Sequence, residues 1–135
     1  MTEDELKRRT KVFALRAMKL VDALPRSSVG RAIGNQLVRS ATSVGANYRA
    51  ACRGRSKAEF LSKLGIVAEE ADESVYWLEL TIEGGLLPAS RVDSLLREAN
   101  ELTAIMTASR RTAARSASAN RKSQIKNRKS PSPKE

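Results

Sequence analysis

"RSATSVGANYRAACRGRSKAEF" (Arg39–Phe60) packs small residues, arginines and the chain's one cysteine into a single stretch. Three readings compete for it: a phosphate-binding loop, a catalytic turn, or a corner between two helices. A Walker-type loop requires G-x-x-x-x-G-K-[ST], and the local glycines, Gly45 and Gly54, lack the lysine. Ser56 and Glu59 instead match the S-x-x-E capping box, which predicts a helix from about Lys57. Upstream, Ser40 or Ala41, Val44, Tyr48 and Ala51 recur at steps of three and four, the spacing of one helix face. The stretch reads as a helix end, a corner at Cys52–Ser56, and a new helix start.

The same periodicity extends in both directions. Leu6, Thr10, Phe13, Ala17, Leu20 or Val21, and Leu24 form the stripe of a first helix, from about Glu3 to Leu24. Glu3, Asp4 and Glu5 suit its first turn, where the helix dipole favours negative charge. Pro25 stops it, because proline disfavours helical geometry in the residue before it. The second helix, Ser28 to Cys52, starts its stripe at Val29, Ile33 and Leu37. Its Gly30, Gly34 and Gly45 each cost roughly 1 kcal/mol relative to alanine, which points to a close neighbouring backbone. The third, Lys57 to Glu83, carries Phe60, Leu64, Val67, Ala71, Val75, Leu78 and Ile82, and Gly84-Gly85 permits a left-handed cap. The fourth runs from about Ser90, read as its N-cap, to Ser109 or beyond, with Val92, Leu95, Ala99, Leu102 and Met106 as its stripe. Short connections make successive helices antiparallel. The expectation is an all-α, antiparallel up-down four-helix bundle over residues 1–111. Residues 112–135 read as a disordered basic tail, with NRKS repeated at 120–123 and 127–130 and little to bury.

The chain has 135 residues and a net charge of +10. Residues 110–135 hold nine Lys/Arg and one Glu, whereas residues 1–109 hold sixteen Lys/Arg and fourteen Asp/Glu. The basicity is therefore largely a tail property, which fits a polyanion partner or a merely solubilising tail. One cysteine allows no internal disulfide, the charged N-terminus is not a signal peptide, and no apolar run spans a bilayer. These features predict a cytoplasmic protein with no membrane partner. The absence of histidine removes His-based acid–base chemistry, Ser-His triads and the Glu-x-x-His di-iron motif. No enzyme, metal site or cofactor is expected.

Two surfaces stand out. Arg31, Arg49 and Arg53 fall opposite the apolar stripe of the second helix, with Arg39 on its flank, and the corner adds Arg55 and Lys57. Such a ridge suits nucleic-acid phosphates, RNA or DNA, although a solvated helix face has the same pattern. Few aromatics are present for base stacking, so sequence-specific single-strand readout is not expected. On the third helix, Ile66, Trp77 and Leu80 lie on a flank interleaved with Glu70 and Glu73. This reads as a subunit interface, or as a tryptophan closing the bundle's edge, with the two glutamates suited to an arginine such as Arg39.

The segment Gln36–Leu87 also carries a resemblance. The pattern R-S-x-x-S-x-x-A-N, a basic corner, S-x-x-E-F and an acidic A-x-x-E-[ST]-x-x-W-L-E helix is met by Arg39, Ser40, Ser43, Ala46, Asn47, Ser56, Glu59, Phe60, Ala68, Glu73, Ser74, Trp77, Leu78 and Glu79. It resembles the bacterial four-helix-bundle proteins first noticed as reading frames in intervening sequences of large-subunit ribosomal RNA genes, over about residues 5–110. The resemblance implies a homo-oligomeric ring, pentameric in family members. It also implies kinship with the accessory variability determinant proteins of diversity-generating retroelements, which bind nucleic acid and a reverse transcriptase. Ala50 and Ala51 stand where many members carry Glu or Gly.

Overall fold

The computed structural model describes residues 1–129, with side chains to Ile125. Four helices follow one another: α1 (Glu3–Asp22), α2 (Ser28–Cys52), α3 (Lys57–Glu83) and α4 (Ala89–Lys129). Each starts or stops for a local reason. Thr2 and Glu5 form a reciprocal capping box on α1, a feature absent from the reading of the sequence. Ser27 caps α2 by accepting from Gly30 N at 3.0 Å. Ser56 Oγ accepts from Glu59 N at 3.1 Å, as the capping box requires. The return bond shifts by one residue, however: the Glu59 carboxylate accepts from Arg55 N, not Ser56 N. At the far end of α3, Leu86 N donates to Thr81 O and Gly85 N to Ile82 O. With Gly85 at φ 70°, this is a complete Schellman ending. α4 begins at Ala89 directly after Pro88, so Ser90 lies inside the helix and is not its cap.

The helices pack in chain order, α2 on α3 and α3 on α4 most extensively, with α1 on α2 and more thinly on α4. The core is the expected one in α1, α3 and α4: Leu6, Phe13, Ala17, Leu64, Val67, Leu78, Val92, Leu102 and Met106 are all buried. The start of α2 differs. Val29 is 59% exposed, and Gly30 and Gly34 take the inward positions instead. A Cβ on Gly30 would lie 2.0 Å from the Pro25 carbonyl oxygen, so only glycine lets α2 leave the corner at this angle. At Gly45 the neighbour is Thr10 of α1, whose backbone carbon would be 3.5 Å from an added Cβ. The glycines of α2 are thus points of close approach, as their number suggested.

The C-terminal segment is a correction. Residues 112–129 continue α4 as helix, whereas the composition predicted a disordered tail. Residues 130–135, the remainder of that expected tail, lie outside the described residues. Extending a helix already nucleated by the bundle costs no new nucleus, and alanines at 113, 114, 117 and 119 favour it. Ala113, Ala117 and Ser118 are half-buried, and Ala117, Asn120 and Gln124 border a groove against Lys57, Ala58 and Leu61 of α3. From Ala119 to Ile125 every residue is exposed. Among the described residues no helix is long and apolar enough to cross a membrane.

Candidate nucleic-acid interface

Arg31, Arg49 and Arg53 of α2, and Arg55 and Lys57 at the corner, are all exposed. Among the described residues none of the five forms an ion pair; Arg31 donates instead to the Arg26 carbonyl at 2.9 Å. The local cause is composition. Residues 23–58 carry Arg26, Arg31, Arg39, Arg49, Arg53, Arg55 and Lys57 and no carboxylate, so there is no acid on α2 to neutralise them.

Arg39 has a different role from the rest of this group. Its guanidinium bridges Glu70 at 3.3 Å and also holds Glu73, both on α3. The Glu73 hydrogen bond is the largest influence on Arg39, holding its proton more tightly than in a free arginine. Glu70 is pushed up from the ordinary carboxylate range by burial, a shift that Arg39 opposes. The sequence placed Arg39 among the phosphate contacts and Glu70 and Glu73 in a subunit interface, and also offered Arg39 as the partner of the two glutamates, within the subunit or across it. The structure brings the three together within one chain as an α2–α3 clamp. Beneath it, the buried hydroxyls of Ser40 and Ser74 share a hydrogen bond of 2.8 Å.

α3 is the opposite of α2. Residues 64–90 carry Glu69, Glu70, Asp72, Glu73, Glu79 and Glu83 and no cation. Tyr76 stands 53% exposed on this face, edge-on to Trp77 with ring centroids 5.1 Å apart. Trp77 itself is half-buried against the core, and its Nε1 is buried without a hydrogen-bond partner. Ile66 and Leu80 are half-buried. Ile66 borders a groove with Glu69, Arg110 and Arg111. Gly65 leaves room there for the Arg110 guanidinium, whose Nε would be 3.0 Å from an added Cβ.

Two arginines tie α1 to α4: Arg16 Nη2 donates to Ser94 Oγ at 2.8 Å, and Arg9 makes the larger set of contacts. Arg9 donates from Nε and Nη2 to the Glu98 carboxylate at 2.8 and 2.7 Å and also reaches Glu101. The Glu98 hydrogen bond is the main reason its proton is held more tightly than in a free arginine. On the outer face of α1, Val12, Leu15 and Met18 are exposed at intervals of three.

Fold and surface together define a class: a small all-helical bundle whose second helix carries only basic charges and whose third is acidic from residue 64 onward. The family profile described as 23S rRNA-intervening sequence protein matches residues 3–108, and the chain belongs to that family. A crystal structure of a protein of unknown function from the S23 ribosomal protein family of Bacteroides thetaiotaomicron superposes with a TM-score of 0.76 at 31% identity, over 82% of this chain and 99% of that one. No curated protein sequence matches the chain.

Proposed function

We propose that the protein is a non-enzymatic, homo-oligomeric accessory protein that binds the phosphate backbone of RNA or DNA. The observation that carries this reading is the row of exposed cations without ion pairs, Arg31, Arg49, Arg53, Arg55 and Lys57, on a segment lacking any acid. The C-terminal part of α4 adds to it, since residues 102–134 also contain no carboxylate. The exposed apolar residues Val12, Leu15 and Met18 on α1, and Tyr76 on α3, supply surface for self-association. A ring, pentameric as the resemblance implies, would multiply a modest basic ridge into an avid one without new contacts.

The acidic, aromatic face of α3 favours a second reading: an adaptor that docks a basic protein, of which a nucleic-acid enzyme such as a reverse transcriptase is one example.

Fluorescence anisotropy with RNA and DNA duplexes across a salt series tests the first reading. Affinity is expected to fall steeply with salt, and Arg49→Glu with Arg53→Glu is expected to weaken binding about tenfold or more at moderate salt. Arg39→Gln is expected to change affinity far less, because its charge is already held by two carboxylates. Salt-insensitive or absent binding at physiological ionic strength would remove this reading in favour of the adaptor.

A further inference from the structure

Where α1 begins, α2 ends and α3 starts, the bundle opens into a cleft of about 560 Å³. That lies within the range of about 300–1,000 Å³ typical of small-molecule sites. Leu6, Tyr48, Phe60 and Leu64 give it apolar walls. The chain has only five aromatic residues, and two of them, Tyr48 and Phe60, are here. The scarcity of aromatics that argued against base stacking is offset by where these two lie.

The polar groups of the cleft differ in kind. The Tyr48 phenol is pushed up by burial first and then by Cys52, so it stays a neutral donor. The Cys52 thiol is also pushed up, chiefly by burial and then by Glu3, and stays protonated at neutral pH. Glu3 contributes a carboxylate acceptor. Arg55 and Lys57 form a cationic rim, continuous with Arg53 and Arg49 on the ridge of α2.

We propose that this cleft receives an unpaired base of a single-stranded nucleic acid, with the adjoining phosphates on Arg55 and Lys57. The inference rests on the nucleic-acid reading above and adds strand selectivity to it. A flat heteroaromatic ring suits walls that include Tyr48 and Phe60, and its edge offers both donors and acceptors to Tyr48, Cys52 and Glu3. An aliphatic chain would offer no partner to the polar capacity that these groups leave unused among themselves, nor to the cationic rim. A base inside a duplex cannot enter without being unstacked, so paired strands meet only the ridge.

Cys52 is a built-in reporter. In the full-length protein, alkylation of Cys52 by iodoacetamide would be timed with a short single-stranded RNA, the same strand annealed to its complement, and inorganic phosphate at equal ionic strength. The expected result is several-fold protection by the single strand and little by duplex or phosphate. Phe60→Leu keeps apolar volume while removing the ring. It is expected to cost about tenfold in single-strand affinity, within the range for one stacked base, and to leave duplex affinity unchanged. Cys52→Phe, which fills the cleft, should have the same selective effect. Equal protection by duplex and single strand, or single-strand binding with no protection, would overturn the cleft proposal while leaving the ridge intact. Absence of binding by either strand form would overturn the nucleic-acid reading and this inference with it.

Discussion

α2 and α3 are neighbours of nearly equal length, and they solve the same packing problem with opposite materials. α2 buries glycines and small residues and exposes arginines; α3 buries Leu and Val and exposes carboxylates. The chain is close to neutral over residues 1–109, yet its two central helices are not. Net charge therefore conceals a molecule with a basic side and an acidic side. Among the described residues, ion pairing between the two sides is localised at the Arg39 clamp, which takes up one cation and two carboxylates.

That comparison can be broken at several depths. The deepest is the shared core. Leu37 of α2 and Leu78 of α3 are both fully buried, and truncation of either to alanine is expected to lower stability by about 2–5 kcal/mol in urea unfolding. Equal losses would show that the two helices contribute alike despite their composition. The serine pair is next. Ser40→Ala or Ser74→Ala alone should cost about 1 kcal/mol, and the double variant less than the sum, because either substitution already removes the shared bond while the remaining hydroxyl keeps its backbone acceptor, Leu37 O or Glu70 O. Strict additivity would mean that the bond does not couple the helices. Arg9→Ala, which removes the ion pairs between α1 and α4, keeps the Arg16–Ser94 bond and leaves α2 and α3 untouched, is expected to cost about 1 kcal/mol by thermal unfolding, and less at high salt.

The smallest effect is chemical. The pH midpoint of Cys52 alkylation is expected above that of a free thiol, because burial disfavours the thiolate. The sign follows for stability as well. With the folded value above the unfolded one, the contribution of Cys52 is present below the unfolded pKa and is lost as pH rises through the folded one. A midpoint at or below that of free cysteine would place the thiol under the influence of the neighbouring cations instead.

The fold was legible because its signals are local. Helical periodicity, the Ser56 cap and the Gly84-Gly85 stop each depend on a few adjacent residues, and three of four helices fall within two residues of the expected bounds. Two features were misread for a common reason: they depend on what lies across a gap. Val29 looked like a core residue until the Pro25 carbonyl claimed the space beside Gly30. Residues 112–118 looked too polar to order, but the first turns of α3 lie alongside them. The pairing of Arg39 with Glu70 and Glu73 was legible in the residue types, whereas its closure within one chain depends on how α2 packs on α3. The cleft was invisible for the same reason: Leu6, Tyr48 and Phe60 belong to three different helices.

The exposed end of α4 changes how far this molecule reaches. From Ala119 to Lys129 a helix rises about 15 Å at 1.5 Å per residue. The ionic atmosphere at physiological salt decays over about 8 Å. Arg121 and Lys122 are thus carried on a segment that projects beyond the acidic part of α3. A polyanion in solution would feel this protruding rod before it felt the bundle. On the nucleic-acid reading proposed above, the rod would set the capture radius, and selectivity would belong to the surface reached afterwards.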